Sequence, residues 1–558
     1  MDDHRKTRKL AIAIGIVMCL IWVALHIPGI RYGAQNVPLH EAYLTSDEQS
    51  PINGALHILQ NKNPLTLRSN GWGLYYGPIF AVVAVPPVVA DFAIRILTHS
   101  VTGAESYKDF IVWNWGGVLE WSRLLSVLVG FLGLLAVFLM FGTATLNPSR
   151  KKWIQYAAST LLGLNYLYFE YANFFRHWVF ILAIVLWQLY LLILMIESDR
   201  HRKLFWFLQW LLTVLTFGIS YIGIAYEILW LPLLIIWIKN KEVANLKALG
   251  IYVLGVAVGV LGVILWYPYG FTRMLSIVGF AAPTTHTSAV LDLTSSVGGH
   301  SFWFYAQIIL LNDPFLLIAG ITLAFALYRS KIIFPKYWLW ATFLLAFANY
   351  TVFALPTHHE TRYALPTIVF CSLMVMSMYS WVYANSRHTD LKMRLARIFL
   401  IFSIVVSSVQ IIGWERMIMA GPVERRSIVP ELVAWQKVSP TAKFLAFKDW
   451  PFGYVHTHDA YVVFANNHGQ FGYPSDLWQY ILGAEPPQSV TPIAAYYRSA
   501  AAPKITAKDR ATYAHIITFE PAILDPQVWG GNPNDQFDFR PWTVWNYSDY
   551  QDRYIMVK

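Results

Sequence analysis

The sequence predicts a polytopic α-helical membrane protein that ends in a small α/β domain outside the membrane. Three observations predict it. Of the 558 residues, 56% are hydrophobic and 16% aromatic, while only 13% are charged; an ordinary soluble domain has about a quarter of its residues charged. Apolar runs of about 20 residues, the length that crosses a hydrocarbon core of roughly 30 Å, recur over the first three quarters of the chain. Beyond about residue 415 those runs stop, and Pro, Gly, Asn and Asp become frequent. Inside lipid every backbone polar group must be satisfied internally, so the runs are expected to be helices.

The first element is the basic start "MDDHRKTRKL" followed by the charge-free run "AIAIGIVMCLIWVALHIPGI". A cleaved signal peptide has a shorter apolar core and a small-residue cleavage site, so this reads as an uncleaved first span. Further spans are expected at about 121–142, 153–170, 178–197, 204–218, 221–238, 248–267, 303–327, 336–354, 364–384 and 396–414, about eleven in all. The basic tracts "SRKK" at 149–152, "DRHRK" at 199–203, "KNK" at 239–241, "YRSK" at 328–331 and "SRHTDLKMRLAR" at 386–397 then share one side with the amino terminus. By the positive-inside rule that side is cytoplasmic, and the carboxy terminus lies outside.

One run breaks this alternation. "GPIFAVVAVPPVVADFAIRIL", residues 77 to 97, holds Pro86-Pro87 and the charges Asp91 and Arg95, and counting it as a span would invert every later loop. It is expected to form interfacial or re-entrant helices. The first outer loop then runs from about 31 to 120, and loops of that length are usually functional. This divides the chain into a membrane domain, 1–414, and an extracytoplasmic domain, 415–558. In the latter "VPELVAWQKV" has a helical pattern, while "TAKFLAF", "AYVVFAN", "AHIITF" and "DRYIMVK" are strand-like. No internal repeat or low-complexity segment is visible.

The net charge of +10 could suggest nucleic acid, but the basic residues sit mainly in short tracts between apolar runs and serve topology; membrane lipids are the expected partner and nucleic acid is not. Cys19 and Cys371 both fall inside apolar runs, so neither a disulfide framework nor a CxxC site is expected.

The long loop carries the adjacent acids Asp47 and Glu48 in "LTSDEQSPINGALHILQNKNP". Ser46 with Gln49 matches a capping box, and acids in a first helical turn favour the helix dipole, so capping alone would explain them. A carboxylate held at the membrane face among apolar neighbours can equally take a proton from an acceptor hydroxyl or amine.

After the acid pair come the helix end "HILQNKNP", the aromatic and glycine stretch "NGWGLYYGPIF", the run at 77–97, Arg123 in "LEWSRLLSVLVGFLGLLAVFLMFG" and, late in the chain, "HHETRYALPTIVF" at 358–370. This order resembles the GT-C superfamily of integral-membrane glycosyltransferases, in the branch of the protein O-mannosyltransferases and the lipid A aminoarabinose transferases. The resemblance covers most of the chain and implies an enzyme that takes a sugar from a polyprenyl-phosphate-linked donor and passes it, usually with inversion, to a lipid, glycan or protein acceptor at the extracytoplasmic face of a cell or lumenal membrane. It implies Asp47 as the catalytic base or acceptor-orienting group and Glu48 as its supporting neighbour.

Many members carry an Arg closely followed by an acid in the second outer loop; here "FEYANFFRHWVF" has Arg176 followed by His177, with Glu170 earlier. The sequence departs from the family pattern here: either Glu170 or His177 fills the second polar role, or that role is absent, and Arg176 and His177 could equally form an interfacial anchor beside Trp178. Arg123, Arg176 and Arg362, with Tyr363 beside the last, are candidates for the donor phosphate, because a guanidinium fork suits the charge that develops on a leaving phosphate; arginines at span ends also snorkel into headgroups. His358, His359 and Glu360 are the densest candidate ligand group, but adjacent residues seldom converge on one ion and no HExxH spacing occurs, so no cofactor or metal is expected, although one branch of the superfamily uses a divalent cation. His286 and His300 sit in an outer loop that could close over substrate, although loop histidines are usually only solvated. The rival class is a transporter or flippase of lipid-linked saccharide. Repeats and midplane ionisable groups would mark it, whereas the polar residues here are expected at the outer ends of the spans.

Overall fold

The computed structural model describes residues 2–31, 46–61, 63, 76–113, 116–143, 152–197, 201–268, 270–272, 303–330, 336–354, 361–385 and 391–419, together with seven strands between 444 and 557. The chain forms two compact units, one of Met1–Ile30, Ser50–Val85 and Ser122–Arg416, the other of Arg31–Gln49, Pro86–Trp121 and Met417–Lys558.

Eight helices among the described residues, or nine with one bent pair, are long and apolar enough to cross a membrane. Those eight include Pro78–Leu97, whose residues from 86 onward belong to the second unit. The protein is an integral, multi-pass membrane protein. Four of the eleven expected spans are not among the eight, namely the first helix and those at 153–170, 204–218 and 303–327, while Pro78–Leu97 is added; two of the four runs are broken. At 153–170 the helix Lys152–Gly163 stops, and Asn165 caps a second short helix, Tyr166–Ala172, by accepting from the Tyr168 amide at 3.3 Å. At 303–327 the chain bends by 96° between Phe304–Asn312 and Pro314–Tyr328. There Pro314 lacks the N–H that would continue the ladder, and Asp313 Oδ1 caps the new helix by accepting from the Leu316 amide at 2.9 Å.

The first helix, Asp2–Arg31, is tied in through Trp22, whose indole donates to the Val127 carbonyl at 2.8 Å in helix Gly116–Met140. Gly29 lies against the Asn173 side chain, where a Cβ would collide. Helix His177–Glu197 is buried along most of its length, as a central bundle helix must be, while Val243–Trp266 leaves Ile251, Leu254 and Val258 exposed as a lipid-facing helix does.

In the second unit, Val85–Leu97 and Ala104–Trp113 are joined by Asp91. Asp91 pairs with Arg95 at 3.4 Å and accepts from the Tyr107 hydroxyl at 2.9 Å. Pairing removes the obstacle that these charges posed, and Pro78–Leu97 has span length and composition. The strands Phe444–Phe447 (β1), Ala460–Asn466 (β2), Phe471–Gly472 (β3), Thr491–Arg498 (β4), His515–Thr518 (β5), Gln536–Arg540 (β6) and Arg553–Val557 (β7) form one sheet in the order β3-β2-β4-β1-β5-β7-β6. The middle four are parallel, and β3, β7 and β6 are antiparallel to their neighbours. The four strand-like segments fall on β1, β2, β5 and β7, and the helix expected at "VPELVAWQKV" lies outside the described residues.

Candidate functional site

Three separately nominated stretches of sequence meet at helix ends within the first unit. The second outer stretch supplies the centre. Helix Tyr166–Ala172 ends at Asn173, and a tight turn follows in which the Arg176 amide donates to the Phe174 carbonyl at 2.8 Å. Ser126 Oγ donates to that same carbonyl at 2.7 Å and fixes the turn to helix Gly116–Met140. Glu170, Arg176, His177 and Trp178 are all buried, whereas an interfacial anchor would be open to headgroups. Arg176 stands within electrostatic reach of Glu170. The acid that precedes the arginine in sequence is thus its neighbour in space.

The aromatic stretch contributes Tyr76. Its backbone forms a bridge with Ser220, the Gly77 amide donates to the Ile219 carbonyl at 3.0 Å, and a Cβ on Gly77 would run into the Gly218 carbonyl. Only glycine permits this approach. The bridge sets the Tyr76 ring against His177 at 4.9 Å, and His177 lies 4.3 Å from Trp178. On its other side Trp178 meets Phe353 at 5.5 Å and Tyr363 at 5.6 Å, and those two rings stack at 4.8 Å. Tyr363 belongs to the 3-10 turn Thr361–Ala364 that opens helix Leu365–Asn385. Arg362 precedes it, with its side chain outside the described residues, as are His286, His300, His358, His359 and Glu360.

Arg123 is fully buried, so it does not snorkel into headgroups. Its Nη1 faces the Gly29 carbonyl at 3.4 Å and its guanidinium lies over the Phe174 ring at 5.7 Å. It therefore ties the first helix to the turn that holds Arg176. The acid pair opens helix Ser46–Asn61, in whose first turn Asp47 and Glu48 fall. Glu48 is fully buried, and the Asp47 side chain lies outside the described residues. On the same helix His57 is buried, and desolvation holds its imidazole below the ordinary value and thus uncharged near neutrality. Among the described residues no three His, Cys, Asp or Glu side chains stand close enough to share a metal ion.

Sequence reasoning did not single out Tyr76, Phe353 or His57. It also missed Glu227 in "YIGIAYEILW", although an acid inside an apolar run was the available signal. Glu227 lies inside the membrane-length helix Tyr221–Lys239, and Asp313 lies at the break between Phe304–Asn312 and Pro314–Tyr328.

The class so defined is a multi-pass helical membrane protein with buried acid, arginine and histidine among aromatic rings at the ends of its helices. Among solved structures the chain is similar to ArnT from Cupriavidus metallidurans bound to undecaprenyl phosphate, at 13% identity and a TM-score of 0.48, covering 98% of this chain and 97% of that one. It is also similar to the Archaeoglobus fulgidus oligosaccharyltransferase in complex with Zn and sulfate, at 11% identity and a TM-score of 0.49, over 90% of this chain and 67% of that one. A third is the arabinofuranosyltransferase AftD from Mycobacteria, at 12% identity and a TM-score of 0.44, over 98% of this chain and 40% of that one. No protein-family model and no curated protein matches the chain.

Proposed function

We propose that the protein transfers a sugar from a polyprenyl-phosphate-linked donor to a lipid, glycan or protein acceptor at the extracytoplasmic membrane face. The observation that supports this reading is the convergence of Tyr76 and Tyr363, from two of the stretches that carry the family resemblance, on Arg176–Trp178 of the second outer loop, where the sequence departs from the family pattern. Flat aromatic faces suit the apolar side of a sugar or prenyl chain, and buried arginine suits a phosphate. In the reaction the acceptor hydroxyl or amine gives its proton to Asp47, with Glu48 supporting the loop. The acceptor atom bonds the anomeric carbon, the carbon–oxygen bond to phosphate breaks, and polyprenyl phosphate leaves with the bonding pair. Arg176, Arg362 and Tyr363 meet the charge on that phosphate, Arg123 holds the turn that carries Arg176, and Glu170 or His177 supplies the second polar group. The membrane domain 1–414 carries the site, and 415–558 is an extracytoplasmic α/β domain. A cysteine introduced at Ser46 or Ser475 should then react with an impermeant thiol reagent in intact cells.

Purified protein in lipid vesicles, given a radiolabelled polyprenyl-phosphate sugar, tests the reading against its rival. Label in the acceptor supports an enzyme. Leaflet exchange of the donor without transfer would make the chain a flippase of lipid-linked saccharide.

A further inference from the structure

The segment Tyr221–Trp230 is a 3-10 helix of 10 residues at the start of a membrane-length stretch. Such helices seldom exceed three or four residues, because their hydrogen bonds are poorly aligned, so this one needs outside support. Glu227 lies within it. Its Oε1 contacts Gln188 Nε2 at 2.9 Å and Thr213 Oγ1 at 2.8 Å, and its Oε2 contacts Trp230 Nε1 at 3.0 Å and the Tyr252 hydroxyl at 2.7 Å. Gln188 Nε2 also donates to Thr213 Oγ1 at 2.8 Å. The Thr213 and Tyr252 hydroxyls are 2.6 Å apart. None of these partners is a cation, and the Trp230 ring stacks on Trp206 at 5.2 Å beside them.

Counting protons settles which form of the carboxyl fits. Three oxygen–oxygen contacts, Thr213 to Glu227, Thr213 to Tyr252 and Tyr252 to Glu227, each require a proton between the two atoms. Thr213 and Tyr252 supply one each, since a hydroxyl donates once. The amide and indole protons are already used. If Glu227 were ionised, one pair of oxygens would face each other bare in a site where an unpaired polar contact is expensive. Reversing the Gln188 amide makes matters worse, because its oxygen would then oppose two more oxygens.

We propose that Glu227 is held as a neutral carboxylic acid whose proton closes a ring with Thr213 and Tyr252, and that this ring positions the Tyr76 and His177 side of the candidate site. Either sense of the ring balances: the acid donates to Tyr252, Tyr252 to Thr213 and Thr213 to the other carboxyl oxygen, or all three reversed. The second half of the proposal rests on the function proposed above. Its route is short. The ring pins the 3-10 segment, the Gly223 amide donates to the Ser220 carbonyl at 2.8 Å, and Ser220 bridges Tyr76, which packs on His177.

Infrared difference spectroscopy of the full chain in nanodiscs, wild type against Glu227→Gln, tests the proton. The wild type should show the carbonyl band of a protonated carboxylic acid at neutral pH, absent from Glu227→Gln and shifted in Tyr252→Phe, which removes one hydroxyl from the ring. If only carboxylate bands differ, the neutral acid is overturned. Hydrogen exchange tests the positioning: Tyr252→Phe should raise exchange at the Gly77 amide and lower kcat/KM for donor by roughly 10-fold, as a small misplacement of a site does. Unchanged exchange overturns the positioning role. Wild-type protein that transfers no sugar would overturn the proposed function instead, and the exchange result would still decide whether the ring holds Tyr76.

Discussion

Asp91 and Glu227 are both acids inside apolar runs, and the protein accommodates them in opposite ways. Asp91 has a cation one helical turn on, Arg95 at 3.4 Å, and a hydroxyl from Tyr107 at 2.9 Å. Arg95 is 25% exposed in its side chain against 2% for Asp91, so the pair keeps one end in contact with its surroundings and its charge is tolerated. Glu227 has no cation among its partners, and its contacts fit an acid that has kept its proton. An acid in an apolar segment is therefore either paired or neutral, and the partners decide which. Neither arrangement leaves a carboxylate free for chemistry. The proposed function gives that role instead to Asp47, with Glu48 beside it, at the start of helix Ser46–Asn61.

The largest expected effect sharpens this separation. Asp47→Asn keeps a side-chain oxygen able to cap, so folding stability should change by at most about 1 kcal/mol. As the base, Asp47 should nonetheless take about 10²–10⁴ of the turnover with it, with donor saturating. Glu48→Gln should cost less turnover, but because Glu48 is fully buried it should destabilise by about 1–3 kcal/mol. If the turnover losses come in the opposite order, Glu48 is the base. Near-normal turnover in both would leave the acids as a capping box and put them on the structural side of the comparison.

Asp91→Ala comes next. It strips Arg95 of its counter-charge and leaves Tyr107 only the longer contact to the Val88 carbonyl at 3.4 Å, and breaking a buried pair from one side costs about 3–5 kcal/mol. The lower end, about 3 kcal/mol, is expected because Arg95 can turn outward. Thermal unfolding in detergent reads it, with turnover per folded molecule unchanged. A change below about 1 kcal/mol would mean that the pair behaves as a surface ion pair.

The two acids also mark how far the sequence can be read. Asp91 and Arg95 stand four residues apart, which places them on one helix face, so their pairing is visible in the string of letters. Of the four partners of Glu227 only Trp230 is local, three residues on; the other three stand 14, 25 and 39 residues away on three other segments, and no periodicity points to them. The apolar runs were legible as helices because length and composition alone set that signal. The two breaks carried local signs, Asn165 after Gly163 and Asp313 before Pro314, yet apolar length outweighed them in the reading. At the site, Arg176, His177 and Tyr363 were legible as polar or aromatic residues at the ends of apolar runs. Tyr76 and Phe353 were not, because an aromatic residue in an aromatic-rich chain carries no mark until the fold puts it beside another. The β-strands were legible by alternation, while their order in the sheet depends on crossovers that alternation does not encode.

Tyr107→Phe asks how much of the Asp91 arrangement is hydrogen bond and how much ion pair. It removes one donor to a carboxylate that retains Arg95, and a hydrogen bond to a charged group contributes about 1.5–3 kcal/mol. About 1.5 kcal/mol is expected from unfolding measurements, half the Asp91→Ala effect, since no charge is left unpaired. An effect as large as that of Asp91→Ala would place the stabilisation in Tyr107.

The smallest expected effect is the sharpest test, and it comes from the largest change in sequence. The triple variant Asp91→Leu, Arg95→Leu, Tyr107→Phe removes the carboxylate, its cation and its donor together. Breaking a buried polar group from one side is costly because the abandoned partner loses water and gains nothing, whereas removing all partners at once leaves nothing abandoned and can be neutral or better. The triple variant should therefore unfold within about 1 kcal/mol of wild type, recovering most of the loss seen in Asp91→Ala. Full recovery would show that the cluster contributes specificity more than stability. Failure to recover, with the triple variant as unstable as Asp91→Ala, would mean that leucine cannot fill the space beside Gly117, where a Cβ already meets the Asp91 carboxyl. Glu227 offers no equivalent rescue, because its carboxyl contacts four side chains, one on its own segment and three on others, and the local one, Trp230, also stacks on Trp206. An acid whose removal can be compensated locally belongs to its own pair of helices, and one whose removal cannot belongs to the bundle.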